Sequence, residues 1–176
     1  MTEKFVADAF SKAGKPTDIH HAQRTAYWIK ILKPEADEAM LVAGVAHDIE
    51  RAFHGDWKKG SENPEDLRKH QDLGAKEIEK FLRRENADEK IIARVKHFIS
   101  KHEEGGDADQ NILCNADCLS YFEEKAMRHV KNAKAAGKPI EKLRRKIENK
   151  FQKIHSEKAK QIARKWYEEV MEELEK

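Results

Sequence analysis

The chain is poor in cysteine, with only Cys114 and Cys118 among its 176 residues. They lie one helical turn apart, and two cysteines on neighbouring positions of one helix face are poorly placed for a disulfide. A structural zinc site needs four protein ligands, and no second cysteine pair completes such a set. These counts argue against a disulfide framework and a cysteine-rich zinc module. We therefore expect reduced thiols in a cytoplasmic protein.

Long apolar runs are also missing. No stretch of 18 apolar residues occurs, and the first residues contain no long apolar segment of the secretory type. Aromatic residues make up 7% of the chain and charged residues 39%, with eight glycines and four prolines. This balance is typical of helices that are wetted on one face, so we expect an all-α protein without a membrane span.

Apolar residues recur at helical spacing along the chain, and no convincing alternating strand pattern is present. Turn and capping residues divide this pattern into helices near residues 3–13, 18–32, 36–52, 65–84, 87–103, 111–135 and 139–174. No internal repeat or low-complexity linker interrupts it. We predict one domain over residues 1–176, folded as a helical bundle.

The last region, about residues 139–174, carries an apolar stripe. Such a stripe predicts helices that pack on their own domain, and the alternative is a coiled coil that makes a homodimer. We therefore expect a monomer or a homodimer. Ser156 follows His155 where the pattern is interrupted, and its hydroxyl is suited to cap a second helical segment.

Charge is nearly balanced overall, at +2, but it is unevenly spread. Residues 125–153 contain eleven Lys and Arg against two Glu. A stretch of this kind is usually a solvated helix surface, and the alternative is a surface that attracts an anionic substrate or nucleic acid. It is not studded with aromatic residues in the manner of single-strand binders, so nucleic acid is not the expected partner.

The most informative feature that is present is His47-Asp48, which follows the apolar run 40–46. An ionised carboxylate taken out of water is costly without a partner, and a metal cation is the strongest partner available. On a helix over residues 36–52, both side chains would point towards the interior. The dipeptide therefore predicts a metal site.

Further His and Asp residues lie in register with apolar residues on separate helices. His70 and Asp117 fall on the apolar stripes of their helices. On the helix between them the choice is between His97 and His102. At 100° per residue, His102 lies about 20° from Val95 and His97 about 160° from it, so His102 is the inward residue.

A lone buried histidine is usually a hydrogen-bonded core residue. Several inward His and Asp residues on separate helices are harder to satisfy without a cation, and helical bundles build metal sites from facing helices. We predict that four histidines converge on one pocket, namely His21, His47, His70 and His102. We predict that four others lie outside it, namely His54, His97, His129 and His155.

The order of these residues resembles the H…HD…D signature of the HD-domain metal-dependent phosphohydrolases. Five segments carry the resemblance in family order: His21-Ala-Gln-Arg24, Ala46-His-Asp-Ile-Glu-Arg51, His70-Gln-Asp-Leu-Gly-Ala75, Ile99-Ser-Lys-His102 and Asn115-Ala-Asp-Cys-Leu119. They cover about residues 18–124, with the helices of about 139–174 packing on this metal-site core. Glu50 stands where many members have glycine. The resemblance implies an all-α, single-domain helical bundle of the HD-domain type.

The resemblance also implies four metal ligands, namely His21, His47, Asp48 and Asp117. His20 competes as the first ligand, but the spacing to Arg24 favours His21. Imidazole and carboxylate ligands suit a divalent ion of Mn, Fe, Co, Ni, Zn or Mg, and the sequence does not choose among them. His70 and His102 match positions that bind a second metal in some members and phosphate in others.

The implied function is that of a metal-dependent phosphohydrolase acting on a small phosphorylated metabolite, with a nucleotide as the leading candidate, through attack of metal-activated water on phosphorus. Catalytic roles fall to Asp48, His70 and His102, and substrate contacts to His70, His102, Arg24 and Arg51. Either arginine could equally be a surface cation. One alternative is a binuclear hydrolase of dinucleotide polyphosphates. Another is a non-catalytic nucleotide- or RNA-binding protein that uses the basic stretch.

We expect one tightly bound ion, because Asp48 is the only carboxylate placed to bridge two ions. A second ion would find only neutral ligands in His70 and His102, so its occupancy should depend on phosphate or substrate. Substrate specificity is expected to lie in the loops 53–64 and 103–110.

Overall fold

The computed structural model describes residues 1–55, 61 and 63–176. Over these residues the chain is all-helical, as predicted, and contains no strand. The helices are α1 (Thr2–Lys12), α2 (Pro16–Leu32), α3 (Glu38–Ala46), α4 (Glu50–His54), α5 (Pro64–Arg84), α6 (Glu89–Ile99), α7 (Ala108–Tyr121), α8 (Met127–Ala135), α9 (Ile140–Gln152) and α10 (Glu157–Glu175). A π segment, Phe122–Ala126, joins α7 to α8.

Short polar side chains fix where several helices begin. Their oxygen atoms accept a hydrogen bond from a backbone N–H of the first turn, which otherwise lacks a partner, at Asp37, Asn63, Asp88, Asp107 and Ser156. Ser156 accepts from the Ala159 amide at 3.2 Å. The predicted interruption of the last helical region is therefore confirmed, and Ser156 starts α10.

Two helices end earlier in the structure than the apolar periodicity of the sequence predicts. The predicted helix 36–52 is split into α3 and α4 by a turn at residues 47–49, and the predicted helix 87–103 ends at Ile99. Ile49, in the turn between α3 and α4, is completely buried. Because the turn residues remain buried, the apolar periodicity continues across the break and gives no sign of it.

The helices that supply the candidate ligands lie in the centre of the molecule. α2 packs against α3 and α7, and α3 also packs against α6. Every residue of α7 from Leu113 to Tyr121 is buried. Gly44 lets α3 approach α2 closely, since a Cβ at this position would clash with the side chain of Ile29. Polar side chains on α2, on α7 and in the turn after α3 are thus held in a tightly packed core.

The C-terminal helices cover one side of this core. α10 packs against α7, the π segment, α8 and α9. Its buried residues are Ala159, Ala163, Val170 and Leu174. The apolar stripe of the last region is therefore covered by the same chain.

In the described part of the chain, no helix has both the length and the apolar character needed to cross a bilayer. The predicted specificity loop 53–64 includes residues 56–60 and 62, which lie outside the described residues.

Candidate metal centre

His47 and Asp48 lie in the tight turn between α3 and α4. The Ile49 amide donates to the Ala46 carbonyl at 3.0 Å, and the Arg51 amide donates to the Asp48 carbonyl at 3.1 Å. These three-residue bonds keep the chain turning after α3 and direct both side chains inward. His47 is 0% exposed and Asp48 is 5% exposed. Groups of this polarity need partners when they are buried so deeply.

Asp117 brings His21 and His47 together on one side of Asp48. Asp117 Oδ1 lies 3.0 Å from His21 Nε2 and 3.5 Å from His47 Nε2. Asp48 Oδ2 lies 3.9 Å from His21 Nε2 and 3.7 Å from His47 Nε2. We call the space between these four side chains the first position.

His70 of α5 and His102 lie on the other side of Asp48. Asp48 Oδ1 lies 3.3 Å from His70 Nε2 and 3.8 Å from His102 Nε2. The two Nε2 atoms are 3.1 Å apart. We call the space between these three side chains the second position. Asp48 therefore presents one carboxylate oxygen to each position.

Each of the four imidazole rings is held through its Nδ1 atom. The acceptors are Ser120 Oγ for His21 (2.7 Å), the Gly44 carbonyl for His47 (2.9 Å), Glu50 Oε1 for His70 (2.7 Å) and the Ile99 carbonyl for His102 (2.9 Å). Carbonyl and carboxylate oxygens can only accept, and the Ser120 hydroxyl already donates to the His21 carbonyl at 3.0 Å. The proton therefore sits on Nδ1, and in the neutral ring the lone pair is on Nε2, facing the cluster.

The centre of the cluster is crowded with acceptor atoms. His47 Nε2 is buried and has no hydrogen-bond partner among the described residues. His21 Nε2 and Asp117 Oδ1 face each other at 3.0 Å. Ligand atoms bound to one ion at about 2.0–2.2 Å lie roughly 3.0–3.6 Å apart. The residues could therefore hold a divalent cation, both in the group His21, His47 and Asp48 and in the group Asp48, His70 and His102.

Burial keeps two of the rings neutral. It lowers the pKa of His21 to about 4, and the nearby Lys125 cation acts in the same direction. Burial also lowers the pKa of His102 to about 3, with the neighbouring His70 adding to the effect. A metal would therefore not have to displace a proton from either ring near neutral pH.

His70 behaves differently. Burial again opposes its protonation, but the hydrogen bonds and charges of Asp48 and Glu50 outweigh burial and raise the pKa of His70 to about 10. Burial also opposes ionisation of Asp48, yet the Arg51 cation and the neighbouring imidazoles hold its pKa well below the usual range. Without a metal, protonated His70 thus adds a positive charge between the carboxylates of Asp48 and Glu50, both of which also pair with Arg51.

Glu50 is a member of the site for which the sequence predicts no role. It is 5% exposed, and Oε1 accepts the hydrogen bond from His70 Nδ1. Oε2 is buried without a partner among the described residues. A Cβ at Gly74 would lie 3.0 Å from the His47 carbonyl oxygen, so α5 passes close to this turn. The only sequence signal for Glu50 is its place two residues after Asp48.

Of the two arginines predicted to bind substrate, only Arg51 lies at the cluster. Arg51 Nη1 lies 2.5 Å from Asp48 Oδ2, and Arg51 lines the cavity over the cluster. Arg24 donates to Glu123 from Nε at 2.8 Å and from Nη2 at 2.7 Å. Its guanidinium lies 3.9 Å from the centre of the Tyr27 ring. Arg24 does not line the cavity over the cluster, and its guanidinium pairs with Glu123 of the π segment instead.

Three other histidines, His20, His54 and His97, lie away from the cluster. His20 has a side chain that is 56% exposed, and His97 is likewise exposed. Each of these histidines contacts an acidic side chain: His20 with Glu124 at 2.8 Å, His54 with Glu77 at 3.1 Å and His97 with Asp107 at 2.6 Å. His21 rather than His20 enters the site, as the spacing to Arg24 predicts, and His102 rather than His97, as the helical phase predicts.

A cavity of about 600 Å³ opens over the cluster. His129 and His155 line it, so the prediction that these two histidines lie outside the pocket is wrong. His155 reaches this wall because its Nε2 pairs with the Glu104 carbonyl at 3.0 Å. Residues of both loops predicted to set specificity, Ser61 and Glu104, also line the cavity.

Part of the basic stretch 125–153 faces this cavity. The lysines that line it are Lys125, Lys146, Lys150 and Lys153. Lys150 Nζ donates to Asp117 Oδ2 at 2.5 Å and to Glu103 Oε2 at 3.4 Å. Although burial opposes it, these two carboxylates raise the pKa of Lys150 and keep it cationic. These lysines therefore favour the alternative interpretation of the basic stretch, in which it attracts an anion, over a purely solvated surface.

A family model described as "Domain of unknown function (DUF4202)" matches residues 6–176. No curated protein and no solved structure matches the chain. The family description names no activity, so the function has to be argued from the residues of the site.

Proposed function

The chain belongs to the DUF4202 family, and we propose that it is a metal-dependent phosphohydrolase of the HD-domain type. The proposed substrate is a small phosphorylated metabolite, with a nucleotide as the leading candidate. The observation that carries this proposal is the position of Asp48, whose two oxygens face two histidine pairs beneath a cavity lined by cations.

The proposed ligands divide between the two positions. His21, His47 and Asp117 would hold a cation at the first position, and His70 and His102 would hold one at the second. Asp48 would contribute to both. When bound, divalent cations supply the Lewis acidity and the acidified water that phosphoester hydrolysis requires.

The other side chains of the site complete the requirements for a phosphoester. Glu50 accepts from His70 Nδ1 and so orients that ring. Arg51 and Lys150 place positive charge beside the two metal-binding carboxylates. Charge of this sign neutralises phosphoryl oxygens during hydrolysis. The cavity of about 600 Å³ is of the size that accepts small organic ligands.

The shared use of Asp48 also favours a second candidate, a binuclear hydrolase of dinucleotide polyphosphates. The two candidates differ in how tightly the second position holds its ion. Two carboxylates, Asp48 and Asp117, face the first position, whereas the second receives only its share of Asp48. We therefore keep the prediction of one tightly bound ion and a second that depends on phosphate.

The test is metal analysis of the purified protein, followed by a phosphatase screen over nucleotides with each divalent metal. We expect about one ion per chain after phosphate-free dialysis, two with phosphate present, and activity that a chelator removes. A ratio near two after phosphate-free dialysis would favour the binuclear hydrolase. Absence of both metal and activity would overturn the proposal. Steeply salt-dependent RNA binding would then support the non-catalytic alternative.

A further inference from the structure

We propose that Lys150 binds the phosphoryl group of the substrate while it restricts Asp117 to one metal-facing oxygen. The inference rests on the proposed function, because it concerns the same site. It adds a residue of α9 to the substrate contacts, and it assigns a specific role to one lysine of the basic stretch 125–153.

The carboxylate of Asp117 is divided between two kinds of partner. Its Oδ1 atom faces His21 Nε2 at 3.0 Å and His47 Nε2 at 3.5 Å. Its Oδ2 atom accepts from Lys150 Nζ at 2.5 Å. The lysine therefore occupies the oxygen that faces away from the first position, which leaves Oδ1 as the single atom for a cation.

Lys150 keeps a donor for a ligand. An ammonium group has three N–H donors. Two are directed at Asp117 Oδ2 and Glu103 Oε2, at 2.5 and 3.4 Å. The side chain is only 13% exposed, yet it lines the cavity over the cluster. The third N–H can therefore reach an anion in the cavity without breaking either contact.

The charge count indicates which anion fits. The charged side chains that touch the ligands or Lys150 are four carboxylates, Asp48, Glu50, Glu103 and Asp117, and two cations, Arg51 and Lys150. Once ions fill both positions, His70 binds through a neutral ring, and the charge of one divalent ion offsets the two remaining negative charges. A second ion leaves two positive charges, which a phosphate dianion would match. A phosphoryl group held by the ions and Lys150 is the anion of that charge.

The test compares Lys150→Gln with Lys142→Gln, which removes the same charge from an exposed position on α9 that does not line the cavity. Calorimetric titration measures Mn²⁺ binding first, and then inorganic phosphate binding to the Mn²⁺-loaded protein. We expect Lys150→Gln to weaken phosphate binding about 10- to 100-fold, the range for a charge-assisted hydrogen bond. Its Mn²⁺ affinity should change much less, and Lys142→Gln should match the wild type in both titrations.

Three results of these titrations would overturn the role proposed for Lys150. Unchanged phosphate affinity in Lys150→Gln would overturn it and leave the proposed function intact. A parallel loss of Mn²⁺ and phosphate affinity would show that Lys150 acts only through Asp117, which also overturns the substrate contact. Wild-type protein that binds neither probe would overturn both proposals. If Lys150→Gln does not fold, Glu103→Gln/Lys150→Gln removes the carboxylate left unpaired, and unchanged phosphate affinity there would again overturn the inference.

Discussion

The two candidate metal positions share one carboxylate but are built in different ways. The first position is enclosed by α2, the α3–α4 turn and α7, and its protein ligands are all at most 5% exposed. The second position takes its imidazoles from α5 and from the turn after α6, and His70 is only partly buried. A rigid, doubly charged site next to a less enclosed, singly charged one is suited to hold one ion permanently and the other with the substrate.

Replacing Asp48, which both positions share, should abolish ion binding at both of them. In Asp48→Asn the amide keeps the shape but loses the charge that faces both positions. We expect metal binding and activity to be lost at both positions while the protein stays folded. Metal content measured by mass spectrometry, phosphatase assays and far-UV circular dichroism check this. Full activity of a metal-replete Asp48→Asn protein would contradict the assignment.

Replacing one ligand from each position should separate them. We expect Asp117→Asn to lose the ion that persists after dialysis, with affinity reduced by more than about 100-fold. His102→Gln should keep that ion and lose only the phosphate-dependent one, with a large loss of activity. Mn²⁺ titrations with and without phosphate measure both effects. Equal loss of both ions in the two variants would show that the positions do not act separately.

A smaller effect is expected at the residue behind His70. Glu50→Gln weakens the acceptor of the His70 Nδ1 proton, so we expect affinity at the second position to fall roughly 10-fold, with the first position unchanged. Glu77→Gln is the matched control, because Glu77 contacts His54 and Lys80 on the surface. The readout is the phosphate-dependent Mn²⁺ titration. A comparable change in Glu77→Gln would assign the effect to surface charge.

The helical phase predicts that His47, His70 and His102 enter the site, although two of the predicted helices extend too far. His102 lies beyond α6, but its amide still donates to the Ile99 carbonyl at 3.3 Å, so the turn keeps nearly the direction of the helix. His47 likewise follows the end of α3. Phase arguments tolerate such breaks because a tight turn changes the direction of a side chain only moderately.

The walls of the cavity could not be predicted in the same way. Lys150 and Glu103 lie far apart in the sequence, and both are charged residues in segments rich in charge. Apolar periodicity does not indicate which charged residues of a half-buried helix face a cavity, because that depends on the helix packed opposite. The same reason explains why the sequence predicts His129 and His155 to lie outside the pocket although they line the cavity.

The π segment at Phe122–Ala126 has a consequence for redesign. A π turn holds an extra residue, so it shifts the phase of everything that follows by about 100°. Deleting that extra residue would convert the segment into regular α-helix and leave both Asp117 and Val130 buried, whereas a deletion within α8 before Val130 would turn Val130 away from the interior. Because the extra residue absorbs the difference in phase, α7 can face the candidate metal centre while α8 faces the C-terminal helices. A transplant of the centre into another scaffold would need α7 only as far as Tyr121.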